Sequence, residues 1–328
     1  GMTTLGTTAD SAQEPVAGGD PRARRERLTS AMAQVNEILL GKESQVELAF
    51  ACLLARGHLL IEDLPGVGKT TLAHALAKSL GLQFQRIQFT SDLLPSDIIG
   101  VSIYDREAGR LSFHPGPVFS QLVVADEINR ATPKTQSALL EAMEEHQVTV
   151  EAETRRLPSP FFVIATQNPT EQVGTFPLPE SQLDRFMMRI SIGYPDAQAE
   201  RALLAGEDRR LMIERLPTAL GEDTLTQLQM AAAGIHVSAK LLDYVQRLLQ
   251  WSRLNPSAAT GLSPRAGLSL VACARAWALI EGRDYALPED VQTVLGPVAG
   301  HRLQSNELST SPDNGTLIEA MLEQTPVD

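Results

Sequence analysis

The residues best suited to chemistry are Gly66-Val67-Gly68-Lys69-Thr70, which follow an apolar segment and open a helical pattern over 71–80 with Leu72, Leu76 and Leu80 on one face. Glycines at those positions let backbone N–H groups turn inward around a β-phosphate, and the helix N-terminus adds partial positive charge. Lys69 would then bridge the β- and γ-phosphates, and the Thr70 hydroxyl would ligate Mg²⁺. Asp63 stands where such a loop usually has its first glycine; aspartate is among the few other residue types that tolerate φ > 0. The nucleotide-binding candidates are therefore Asp63, Pro65, Gly66, Val67, Gly68, Lys69, Thr70 and Thr71. The alternative, a glycine-rich turn with a chance lysine, does not explain why strand, loop, Gly-Lys-Thr and helix all agree. A second apolar strand ends in Asp126-Glu127. If the sheet is parallel, both strand ends meet in one crevice. There Asp126 would hold the metal with Thr70 through its water shell, and Glu127 would orient and polarise an attacking water.

The elements that must position these groups alternate. Short apolar runs at 58–62, 84–89, 122–126, 161–165 and 188–192 read as strands between helical patterns. Leu122-Val123-Val124-Ala125 and Phe161-Phe162-Val163-Ile164-Ala165 are apolar throughout, which suits central strands covered on both faces. The pattern predicts an α/β P-loop fold: a three-layer αβα core with a parallel sheet, followed by an all-helical lid domain. Alternation at 101–104 with 111–113, and across 147–157, predicts two β-hairpins. Residues 1–20 lack an apolar period and read as disordered. The core domain spans 21–194, a linker 195–216, a separate helical domain 217–305 and a loose polar tail 306–328. In the helical domain, Ser238 caps a stripe of Leu241, Leu242, Val245, Leu248 and Leu249, and further helices run over 264–280 and 288–299. No strands are expected after Pro195. Arg22, Arg24, Arg25 and Arg27 read as a solvated face of the first helix.

With these residues in place, the sequence resembles the MoxR group of AAA+ ATPases over most of its length. The marks are Ala125-Asp-Glu-Ile-Asn-Arg-Ala131, Lys134-Thr-Gln-Ser-Ala-Leu-Leu-Glu-Ala-Met143, Ala165-Thr-Gln-Asn-Pro169 and Leu178-Pro-Glu-Ser-Gln-Leu-Asp-Arg-Phe186. The resemblance implies that Asn168 is the first sensor, bonding the γ-phosphate and the lytic water; the residues alone slightly favour a turn asparagine before Pro169. It implies that Arg185 is an arginine finger reaching a neighbouring subunit's nucleotide, the alternative being an ion pair with Asp184 or a nearby acid. It implies that Arg265 is the second sensor of the lid. Ser263 as N-cap and Pro264 put Arg265 in a first helical turn, where a cation opposes the dipole unless an anion is bound. A solvated surface arginine is the other reading. Arg130 is a candidate contact to a neighbouring subunit.

The resemblance further implies ATP and Mg²⁺ as cofactors and a homo-oligomeric, hexameric ring. It also implies chaperone-like remodelling or maturation of client proteins, and partners carrying von Willebrand factor A domains. The hairpins match inserts that project towards the pore or client. They lack the aromatic–hydrophobic–Gly loop of protein-threading unfoldases, which weighs against processive translocation.

Composition narrows the field. The 328 residues carry 28 Lys+Arg against 40 Asp+Glu, a net charge of −12, and 43% hydrophobic residues. That is ordinary for a globular protein, and the acidic field disfavours nucleic acid as a partner. A nucleic-acid motor is thus the weaker rival. A nucleotide-controlled binding switch, with incidental turnover, is the stronger one. The best candidate membrane span, 48–61, is broken by Arg56, Gly57 and His58, and no secretory pattern opens the chain. Two distant cysteines in apolar surroundings, Cys52 and Cys273, fit a reducing compartment, so a cytoplasmic location is expected.

Overall fold

In the computed structural model, residues 20–62, 69–169, 171, 173–305 and 315–328 are described. The segment expected to be disordered before Asp20, the loop residues Asp63, Pro65, Gly66, Val67 and Gly68, and positions 306–314 lie outside the described residues.

The chain opens with Pro21–Ile38 (α1), whose first turn carries Pro21 and is capped by Asp20, its carboxylate accepting from the Arg22 N–H at 3.0 Å. Glu43–Leu54 (α2) precedes Leu59–Glu62 (β1), and Lys69–Leu80 (α3) crosses to Phe84–Gln88 (β2). Pro95–Ile99 (α4) leads into an antiparallel hairpin of Gly100–Asp105 (β3) and Arg110–Pro115 (β4). Leu122–Asp126 (β5) and Pro133–Glu145 (α5) follow, then a second hairpin of Gln147–Val150 (β6) and Glu153–Arg156 (β7). Phe162–Gln167 (β8), Glu180–Leu183 (α6) and Met188–Ser191 (β9) complete the core domain.

Five strands form one parallel sheet in the order β2-β5-β8-β1-β9. Successive side chains of a strand point to opposite faces, and here each face feeds its own core. Leu59, Ile61, Leu122, Val124, Phe162 and Ile164 join α1, α2 and α3 on one side. Leu60, Val123, Ala125, Val163 and Ala165 join Leu139, Leu140 and Met143 of α5 on the other. Burial on both faces is why β5 and β8 are apolar until their last residues. Polarity returns at the carboxyl rim, where register pairs Gln88 with Asp126 and Glu62 with Gln167.

Several expectations are corrected beyond the sheet. The 195–216 stretch is no open linker: it holds Ala197–Ala205 (α7) and Arg209–Glu214 (α8), started by side-chain caps from Asp196 and Asp208. The lid comprises Glu222–Ala233 (α9), Ala239–Leu254 (α10), Pro264–Ile280 (α11) and Pro288–Ala299 (α12). It is not all-helical, since Ala258–Thr260 (β10) pairs antiparallel with Gln304–Ser305 (β11). Nor is the tail loose over its length: Gly315–Gln324 (α13) buries Leu317, Ile318 and Met321. The lid is also not separate, because Leu225, Leu248, Leu270 and Leu295 share one continuous core with Leu28, Val35 and Phe50 of α1 and α2.

The basic run on α1 serves that join. Arg25 donates to the Leu279 carbonyl at 3.2 Å, and Arg27 donates to the Thr224 hydroxyl at 3.0 Å, so both tie core to lid rather than facing only solvent. No described helix is long and apolar enough to cross a membrane.

Candidate active site

At the carboxyl rim, the amino end of α3 meets the end of β5. The Thr70 hydroxyl donates to Asp126 Oδ1 at 3.4 Å, so the two expected metal ligands stand together. The Thr166 hydroxyl donates to the same oxygen at 3.4 Å. Arg86 of β2 bonds Asp126 Oδ2 through Nε, and His74 Nε2 of α3 lies 3.8 Å from that oxygen. Burial pushes the Asp126 carboxyl up, but His74 and the Arg86 guanidinium outweigh it and hold the group below its ordinary value. The result is an ionised, 1% exposed carboxylate beside a hydroxyl. That hard-oxygen pair fits Mg²⁺, whose remaining ligands are water and phosphate. A cleft of about 720 Å³ opens alongside, lined by Thr70, Thr71, His74, Lys78, Phe84 and Arg86.

Glu127 leaves the strand in the left-handed region, at φ 53° and ψ 54°. A side chain there costs on the order of 1 kcal/mol, which the surroundings must offset. They do so through its N–H, which donates to Thr166 Oγ1 at 3.0 Å, and its carbonyl, which accepts from the Arg130 N–H at 3.0 Å. The turn presents the Glu127 carboxylate half-exposed at the rim. There it pairs with Arg130, whose Nη2 also reaches Glu171 at 2.6 Å. Arg130, a candidate neighbour contact by sequence, thus has partners in its own chain. Asn168 follows β8 on this same rim and is buried; its carbonyl accepts from Asn129 Nδ2 at 3.1 Å. At the end of β1, buried Glu62 accepts from Gln167 Nε2 and sits 3.7 Å from Arg189.

Arg185 and Arg265 are elsewhere. α5 runs from the carboxyl rim back to the amino rim, placing Glu144 at its far end. Arg185, three residues ahead of β9, bonds Glu144 and donates to the Leu140 carbonyl at 3.2 Å. Arg265, in the first turn of α11 behind the Ser263 cap, donates to the other oxygen of Glu144 at 3.1 Å and lies 3.8 Å from Asp184. A five-residue strand spans roughly 16 Å, so neither arginine reaches its own Asp126. Sequence spacing had suggested that Arg265 faces an anion with its helix terminus. In the single chain it faces carboxylates at the opposite rim, beside Arg185.

Arg86, His74 and Glu144 carry much of this geometry and were missed by sequence reasoning. Arg86 meets Asp126 only because β2 and β5 are neighbours in register, a pairing no local pattern announces.

Residues 58–188 match the ATPase family associated with various cellular activities (AAA), and residues 251–321 match the AAA lid domain. The chain is 45% identical to YeaC of Bacillus subtilis, uncharacterised, over 84% of this chain and 86% of that one. It is 41% identical to the chaperone MoxR1 of Mycobacterium tuberculosis (92% and 82%), and 35% identical to MoxR of Paracoccus denitrificans (90% and 94%). A crystal structure from Cytophaga hutchinsonii, provisionally assigned as an ATPase, superimposes with a TM-score of 0.82 at 34% identity, covering 93% of this chain and 96% of that one. Parallel sheet, acid pair at the carboxyl rim, lid and relatives converge: the chain belongs to the MoxR family of AAA+ ATPases.

Proposed function

We propose that this chain hydrolyses ATP in a Mg²⁺-dependent manner, within a closed ring that is hexameric as the family resemblance implies, and that it remodels client proteins. The observation that carries the reading is the division between rims: Thr70, Asp126, Glu127 and Asn168 stand at one, Arg185 and Arg265 at the other. A subunit so built can complete a site only with a neighbour.

In this reading Asp63, Pro65, Gly66, Val67, Gly68, Lys69, Thr70 and Thr71 cradle the phosphates. Thr70 and Asp126 hold Mg²⁺, which neutralises charge on the phosphates when bound. Glu127 accepts a proton from the attacking water, a contribution of about 10²–10⁴ in rate. Its turn aims the carboxylate, and Arg130 must yield it. Asn168 orients the water through its carboxamide. Arg185 and Arg265 leave Glu144 to meet charge developing at the next subunit's site, where such a finger contributes about 10³–10⁵. The hairpin β3–β4 leaves Ile103, Tyr104 and Leu111 exposed, which supports an apolar client contact. A von Willebrand factor A domain protein is the proposed partner, and the cytoplasm the proposed compartment.

Substituting Glu127→Gln tests the reading: calorimetry should register unchanged nucleotide affinity while kcat falls at least 100-fold. Near-normal turnover would refute the assignment. Lys69→Ala should abolish binding or hydrolysis. If the Glu127→Gln protein stays locked to its partner and still remodels it, the binding-switch alternative prevails.

A further inference from the structure

The finger segment is gripped by the lid. Arg302 lies just past the end of α12, with its side chain 6% exposed. Its Nε–H donates to Asp184 Oδ1 at 2.8 Å. Its Nη1 donates to the Met187 carbonyl at 3.1 Å and the Val298 carbonyl at 2.7 Å. Its Nη2 donates to the carbonyls of Asp184 and Phe186, each at 3.2 Å. All five guanidinium N–H donors are therefore committed, one anchoring the group to its own helix and four holding the residues on both sides of Arg185. The neighbouring His301 adds a sixth bond, Nε2 to the Phe186 carbonyl at 2.7 Å. The core holds the same stretch through its N–H groups: those of Asp184, Arg185 and Phe186 donate to carbonyls of the α6 turn, and that of Met187 to the His58 carbonyl. Phe186, fully buried, fixes depth but leaves the backbone acceptors to the lid. At a second point, Arg265 of the lid shares Glu144 with Arg185.

We propose that Arg302, supported by His301, is a positioning residue for the arginine finger: it couples Arg185 rigidly to the lid of its own subunit, so that lid displacement moves the finger presented to the next subunit's nucleotide. This rests on the reading of Arg185 as a finger acting in trans. A planar fork of five donors is what the site uses, and lysine, a point charge on a flexible stem, cannot reproduce it. A displacement of about 1 Å at a catalytic group can cost about 10²-fold, so a loosened finger should register in turnover without disturbing nucleotide binding.

The test uses mixed full-length subunits. Arg185→Ala subunits keep a working site but no finger; Glu127→Gln subunits keep the finger but no base. Mixing them should restore hydrolysis. Placing Arg302→Lys on the Glu127→Gln subunit, the finger donor, should reduce the restored rate about 10- to 100-fold. The same change on the Arg185→Ala subunit should leave the restored rate intact, because that finger is already gone. Asp184→Asn, which keeps an oxygen acceptor, should give a smaller loss with the same one-sided pattern. Equal loss in both placements, or no loss on the donor, would overturn the positioning role. Failure of the parent mixture to recover at all would instead overturn the trans finger on which it rests.

Discussion

Lowering the pH from neutrality to about 5 should weaken the fold through two buried histidines. His58 sits at the amino end of β1. Its Nδ1 accepts from the Val163 N–H at 3.0 Å, so its proton resides on Nε2, which faces the Met143 carbonyl at 3.3 Å. Protonating Nδ1 would set two donors against each other in a buried site. Burial lowers the His58 pKa to about 4. His301, buried beside Arg302, is lowered to about 3, by burial first and the neighbouring charge second. Both start from 6.5 in the unfolded chain. Because the folded values are depressed, the unfolded chain binds more protons below 6.5, so stability is retained above that pH and lost as pH falls towards 4 and 3. At about 1.4 kcal/mol per pH unit for each group, a fall to pH 5 removes roughly 2 kcal/mol per histidine and roughly 4 kcal/mol together. Urea unfolding at closely spaced pH values measures this directly, and staying above pH 5 keeps most carboxylate titration out of the window. His58→Gln should lower stability at neutral pH and roughly halve the slope. A flat profile between pH 6.5 and 5, or a slope unchanged in that variant, would refute the reasoning.

Three further outcomes are expected. Leu248→Ala, in the buried face of α10, should destabilise the protein by about 2–5 kcal/mol in denaturant titration. Gly57→Ala should destabilise by about 1–3 kcal/mol, since a Cβ there would stand 2.4 Å from that of Met187. Arg86→Ala leaves Asp126 with a weaker partner, so the nucleotide-free protein should melt several degrees lower, and Mg²⁺-nucleotide should raise its melting temperature by more than it raises the wild type's.

What could be read in the sequence depended on distance along the chain. β5 and β8 were legible because burial on two faces leaves an unbroken apolar run. α7 and α8 were missed although Asp196 and Asp208 stood at cap positions, their patterns being too short to stand alone. In α13, Leu317, Ile318, Met321 and Leu322 do carry helical spacing, but the polar stretch before them hid it. Arg86–Asp126, Arg265–Glu144 and Arg302–Asp184 join residues separated by 40, 121 and 118 positions. Such pairs depend on strand order and on how the lid lies, neither of which is written locally. The same holds for Arg25 and Arg27, whose carbonyl and hydroxyl partners belong to helices far downstream.

The separation of acids from arginines by the height of the sheet bears on how activity should scale with assembly. On the proposed reading, a lone protomer would own two half-pockets that never meet. An open row of n protomers closes n − 1 pockets, and only a circle closes all n. Output per molecule should therefore climb steeply with protein concentration on dilution series and flatten once rings dominate. Anything that opens or caps a ring would act as a throttle without touching the nucleotide.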